Sequence, residues 1–119
     1  MSLEPLADET FVIRGGLMEI VPLRIAIEAC RRRAGFYGLS FCGENSLSVP
    51  EITRLTTRLP QPRIRVSTIG RLRALGYELY RSGPRPHLTL KFEISPTDSG
   101  LKELVGAFGP DIPNPHPST

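Results

Sequence analysis

Arg63 to Glu93 reads RIRVSTIGRLRALGYELYRSGPRPHLTLKFE, and the periods within it decide the fold. Ile64, Val66 and Thr68 alternate with Arg63, Arg65 and Ser67, which is the period of two of a strand with unlike faces. Ile69, Leu72 and Leu75 then recur at intervals of three, predicting a short helix with Ser67 or Thr68 as its cap and Gly76 as its stop. Two runs follow, Tyr77 to Tyr80 and His87 to Ile94, separated by the turn-forming residues Arg81 to Pro86; they predict an antiparallel pair. In the second run Leu88, Leu90 and Phe92 take one face, and His87, Thr89 and Lys91 the other.

Outward from this unit the same reasoning covers the chain. Phe11 to Arg14 is a short strand closed by Gly15 and Gly16. The next helix carries Pro22 in its first turn, buries Leu23, Ala26, Ile27 and Cys30, and stops at Gly35, with Arg31, Arg32 and Arg33 at the end where its dipole favours cations. Phe36 to Cys42 is a mainly apolar interior strand. Ser48 followed by Glu51 is a capping box opening a helix expected through Leu59, with Arg54 and Arg58 on one outer face. Asp98 or Ser99 begins a last helix reaching Phe108. The expectation is an α+β chain: one compact domain over residues 11–108, with a small mixed sheet in the order β-α-β-α-β-α-β-β-α. Parallel pairs are expected across the first helices. Residues 1–10 are read as a flexible lead-in and residues 109–119, with four prolines, as an extended tail.

Size and composition narrow the class. With 119 residues and 39% hydrophobic content the chain supports one core, and its 11 glycines and 12 prolines imply short elements and many turns. No apolar run is long enough to span a bilayer, and the acidic start lacks signal-peptide character, so a cytoplasmic protein without membrane attachment is expected. Cys30 and Cys42 have no zinc spacing and read as free thiols, Cys30 buried on its helix. Neither a metal site nor a cofactor is expected.

Charge supplies the functional lead. Glu51 to Lys91 holds nine basic residues against two acids, a net +7, while the remainder holds six against ten, a net −4. Neutralising phosphates needs cations gathered on one surface rather than a high total, so Arg54, Arg58, Arg63, Arg65, Arg71, Arg73 and Arg81 are the candidate nucleic-acid contacts. If His87 and Lys91 share a sheet face with Arg63 and Arg65, that face combines a proton-transfer group with cations. His87, Arg85 and Lys91 are then the candidates for metal-independent RNA cleavage, with Tyr77 or Tyr80 as a second proton donor. The same arginines also suit a solvated surface or an acidic protein partner.

Leu72 to Phe92, LRALGYELYRSGPRPHLTLKF, followed by a short helix, resembles the HicA-type messenger-RNA interferase toxins: a helix ending in Gly-aromatic, a strand, a Gly-containing turn and a histidine opening the next strand. The resemblance covers about a third of the chain. It departs from the usual Gly-Ser-His arrangement because Pro84, Arg85 and Pro86 separate Gly83 from His87. It implies a fold similar to double-stranded-RNA-binding domains, catalysis at His87, RNA as target and an acidic antitoxin partner; independently, a monomeric core is expected whose tail is dispensable for folding. Three other readings stand beside it. One is a non-enzymatic nucleic-acid or protein-interaction module. A second is a winged helix with Ser67 to Gly76 as recognition helix, although the full strand before it argues against a tight helix-turn-helix. The third is an NAD-dependent ADP-ribosylating toxin-like protein using Arg14, Ser40 and either Glu51 or Glu93.

Overall fold

The computed structural model describes residues 4–116. In chain order the elements are β1 (Phe11–Gly15), α1 (Ile20–Ala34), β2 (Tyr37–Cys42), α2 (Val49–Arg54), β3 (Arg63–Thr68), α3 (Ile69–Ala74), β4 (Leu79–Arg81), β5 (His87–Phe92), α4 (Asp98–Gly106) and β6 (Ile112–Pro113). The radius of gyration is 13.4 Å, against about 13.5 Å for a single domain of this length. No helix is long and apolar enough to cross a membrane among the described residues.

Local chemistry accounts for the helix ends. Ser48 and Glu51 form the reciprocal capping box at the start of α2, Thr68 caps α3, and Thr97 caps α4. Gly35 ends α1 in the left-handed region at φ 85°, where a side chain would be strained. Helix α1 buries Leu23, Ile27 and Cys30 as its stripe requires, each aliphatic side chain contributing about 1.5–3 kcal/mol relative to exposure. Helix α2 stops at Arg54, short of the expected Leu59. Leu55 closes it with a tight bond to Ile52, and the β-branched pair Thr56-Thr57 ahead of Pro60 disfavours another turn.

The six strands are ordered β4-β5-β2-β1-β3-β6, and each neighbouring pair is antiparallel. The α+β class and the alternating element order are as expected, whereas the parallel pairs across the first helices do not form. Hydrophobic periodicity records which side of an element is buried and carries no strand direction. Here β2 starts at the end of the sheet where β1 finishes, so α1 is not a crossover between parallel neighbours.

Two cores result, one on each face. Val12, Leu39, Phe41, Leu88 and Leu90 meet Leu23 and Ile27 of α1, Ile69 and Leu72 of α3, and Leu101 and Leu104 of α4. On the opposite face Ile13, Cys42 and Ile64 pack against Ile52 and Leu59. The segment expected as a tail contributes β6, which lies beside β3 with Ile112 opposite Ile64. Asn114 beyond it is buried, and its Nδ2 donates to the carbonyls of Leu59 and Gln61 at 2.9 Å each. At the other end Leu6 joins the larger core, and the Ala7 N–H donates to Asn45 Oδ1. Residues 1–3 of the expected lead-in and 117–119 of the expected tail lie outside the described residues.

The sheet is divided in the middle. β1 pairs with β3 over five positions, and β2 with β5 over six, but β1 and β2 meet at the single pair Ile13 and Cys42. Beyond that pair the two halves separate, leaving a gap between Arg14 and Gly15 on one side and Ser40 and Phe41 on the other.

Candidate functional site

Most of the arginines expected to form one basic surface are engaged within the protein. Arg63 pairs with Asp111 at 2.7 Å, Arg73 with Asp8 and Glu78, and both Arg81 and Arg85 with Glu44. Three of those four acids lie outside the basic third of the sequence, so the charge separation along the chain is largely cancelled by tertiary contacts. Arg65 Nε donates to the Gly109 carbonyl at 2.7 Å and Nη2 to that of Phe108 at 3.1 Å. Arg71 donates to the carbonyl of Ala107. Both therefore satisfy the carbonyls at the end of α4, where its dipole is negative.

The expected common face also divides. Val66 lies opposite Ile13 and Cys42 opposite His87, which puts His87 on the side of the smaller core. By alternation Arg63 and Arg65 project from the other side, toward α4. Arg54 and Arg58 share no helix face either, because α2 ends between them; Arg54 approaches His116 at 3.4 Å. Lys91 is exposed, with its Nζ 4.6 Å from the centre of the Phe36 ring.

Two of the candidates, Arg58 and His87, do come together at the gap in the sheet. A cleft of about 230 Å³ there is walled by β1, by Ser40, Phe41 and Cys42 of β2, by His87, and by Arg58, Leu59 and Gln61 from the segment after α2. Gly15 lets the Gln61 side chain lie close against β1: a Cβ there would be 2.0 Å from Gln61 Oε1, so a larger residue would displace that side chain. Asn114 holds Gln61 from behind through its carbonyl.

Arg14 crosses the gap, donating from Nη1 to the Ser40 carbonyl at 2.6 Å with its guanidinium 5.8 Å from the centre of the Phe41 ring. Burial lowers its pKa against a smaller opposing effect of Cys42, although an arginine stays protonated throughout. Neither Arg14 nor Arg58 pairs with a carboxylate among the described residues, and no acid lines the cleft. Cys42 is free and buried, as is Cys30. Burial pushes the Cys42 thiol up more than Arg58 and Arg14 draw it down, so it stays a protonated wall of the cleft.

The orientation of His87 follows from its partners. Nδ1 lies 2.8 Å from the Ser82 carbonyl and 2.9 Å from Ser82 Oγ, and Ser82 Oγ lies 2.5 Å from Thr89 Oγ1. A carbonyl only accepts, so Nδ1 carries a proton, and the tautomer this selects has its lone pair at Nε2. No partner for Nε2 is present among the described residues.

His87 also borders a second cavity of about 550 Å³, lined by Glu4, Gly43, Glu44, Arg81, Arg85 and Leu88 among others. Glu44 is buried there. Its Oε1 accepts from Arg85 Nε, and its Oε2 from Arg81 Nη2 and the Asn45 N–H. Burial opposes ionisation, but hydrogen bonds from Arg81, Asn45 and Arg85 outweigh it and hold the carboxyl below the usual range. Glu44 had no signal in the sequence beyond a lone acid in a turn. Arg14 and Ser40 were singled out only for the NAD reading, whose acid is missing from the cleft: Glu51 closes the capping box, and Glu93 is exposed elsewhere.

Compared with models of protein families, with curated proteins and with solved structures, the chain matches none.

Proposed function

We propose that the protein acts on RNA, gripping one phosphodiester of a single strand in the cleft between β1 and β2, with Arg14 and Arg58 on the phosphate and His87 as proton acceptor. The observation that carries this reading is Arg14, a half-buried guanidinium lining the same cleft as Arg58, with no carboxylate in that lining. A cation removed from water attracts an anion more strongly than one at the surface. The resemblance of Leu72 to Phe92 to the HicA-type toxins points to the same substrate and the same histidine. An acidic antitoxin shielding the exposed Arg58 is the partner it implies.

The chemistry needs no metal ion. The proton of the ribose 2′-hydroxyl passes to His87 Nε2, the 2′-oxygen bonds to phosphorus, and the bond from phosphorus to the 5′-oxygen breaks. The products are a 2′,3′-cyclic phosphate and a 5′-hydroxyl, whose proton comes from water at the open mouth of the cleft. The imidazolium then returns its proton to solvent. DNA lacks the nucleophile, so RNA is the substrate.

A second reading, a binding module without catalysis, rests on the single imidazole in the cleft. An in-line displacement places the attacking and leaving oxygens on opposite sides of phosphorus, and one ring serves one of them. End-labelled RNA incubated with the purified protein in the presence of a chelator separates the two. Cyclic-phosphate ends that disappear in His87→Ala while binding persists support the nuclease. Binding without cleavage by the native protein leaves the module, and cleavage that persists in His87→Ala removes His87 from the reaction.

A further inference from the structure

The cavity of about 550 Å³ bordered by His87 has the size of small-molecule sites, and its lining sets the guanidinium groups of Arg81 and Arg85 around the Glu44 carboxylate, with Glu4, Asn45 and Ser46 beside them. Arg85 is held at Nε by Glu44, which is itself fixed by Arg81 and the Asn45 N–H. The two terminal nitrogens of Arg85 have no partner among the described residues. Arg81 Nε is buried and also unpartnered, while its Nη1 is engaged by the Glu4 carbonyl.

A second phosphate fits this wall poorly, because the Glu44 carboxylate stands between the two guanidinium groups. A neutral ligand edge carrying acceptors fits it well. Among the bases, guanine presents two adjacent acceptors, O6 and N7, to such a planar fork; adenine presents an acceptor beside a donor, which would oppose a guanidinium N–H. Pro86 and Leu88 supply apolar surface in the same lining.

We infer that this cavity is a guanine-reading subsite, in which Arg85, braced by Glu44, binds the O6/N7 edge of a base whose neighbouring phosphodiester occupies the Arg14/Arg58 cleft. The inference rests on the RNA-binding reading, and His87, bordering both cavities, sits where base and phosphate of one strand diverge.

The test uses the intact native protein and short single-stranded RNAs that differ at one position among guanosine, adenosine, inosine and 7-deazaguanosine. Guanosine is expected to bind about ten-fold more tightly than adenosine, from one bidentate contact. Inosine, which retains O6 and N7, keeps the preference, and 7-deazaguanosine, which lacks N7, loses most of it. Arg85→Gln brings the guanosine and adenosine RNAs to equal affinity, whereas Arg58→Gln weakens all the RNAs alike and keeps the preference. Equal binding of the four RNAs overturns the guanine subsite and leaves the phosphate cleft standing. If no RNA binds, both fall.

Discussion

Arg14 spans the divide in the sheet, its Nη1 lying 2.6 Å from the carbonyl oxygen of Ser40 on the opposite strand. That contact bridges two strands that share one pairing position, Ile13 with Cys42, and it brings a guanidinium into a gap whose lining holds Arg58 and no carboxylate. A cation so placed defines a site for one anion rather than a track along a backbone.

The salt dependence of the proposed RNA binding follows from that single site. Two guanidinium groups on one phosphodiester neutralise a single phosphate, which for a single strand predicts a slope of log K against log salt of about −0.7. Six arginines on a common surface would give a slope of about −4. Titrations of a short single-stranded RNA over a range of potassium chloride read the difference directly, and a steep slope would restore the extended surface.

Arg63 and Arg65 are predicted to differ in stability rather than in binding. Arg65→Gln strands the carbonyls of Phe108 and Gly109 at the end of α4, which the Arg65 fork satisfies, and should cost about 1–3 kcal/mol. Arg63→Gln breaks a surface pair with Asp111 and should cost at most about 1 kcal/mol. Urea midpoints of the two variants check this ranking. Equal losses would mean that the α4 end is not closed as described.

These two residues show how far the sequence could be read. The alternation of Arg63 and Arg65 with Ile64 and Val66 correctly gave a strand with one apolar face, and the stripes of α1, α3 and α4 gave the helices that cover the opposite face of the sheet. Whether the arginine face meets water or another element is decided by chain topology, because α4 arrives from some forty residues downstream. For the same reason +7 in one segment says little about surface potential when Asp8, Glu44 and Asp111 fold back onto it. His87 and Arg58 were legible as a proton carrier and a cation; their shared cleft was not, since it depends on β1 and β2 separating after one pair. Strand separation leaves no periodic mark in either segment.

The C-terminal strand should matter for folding and for the cleft together. Truncation after Gly109 removes β6 and Asn114, and should lower the melting temperature measurably at fixed protein concentration. Asn114→Ala alone leaves the carbonyls of Leu59 and Gln61 without their buried donor, a loss of about 1–3 kcal/mol. Because Leu59 and Gln61 line the cleft, RNA affinity should fall in the same variant. An unchanged melting temperature in the truncated chain would show that β6 is not part of the cooperative unit.

Glu44 predicts a specific acid sensitivity. Its pKa in the folded protein is depressed below the ordinary 4.5, so the unfolded chain binds its proton first as pH falls. The stability it contributes is complete above the unfolded value and is lost as pH drops through the folded one. Unfolding free energies by urea from pH 7 down to pH 3 should therefore fall more steeply for the native protein than for Glu44→Gln, which starts lower because Arg81 and Arg85 lose their partner. Parallel curves would remove the Glu44 clamp from the account.

Whether Arg58 and Arg14 form the proposed phosphate site is read by fluorescence anisotropy with a labelled single-stranded RNA. Arg58 is exposed, so Arg58→Gln should retain the native melting temperature. This variant is expected to bind the RNA at least about ten-fold more weakly, in line with loss of a charge-assisted contact, while Arg73→Gln, whose charge is engaged by Asp8 and Glu78, binds as the native protein does. Native affinity in Arg58→Gln would contradict the proposed site.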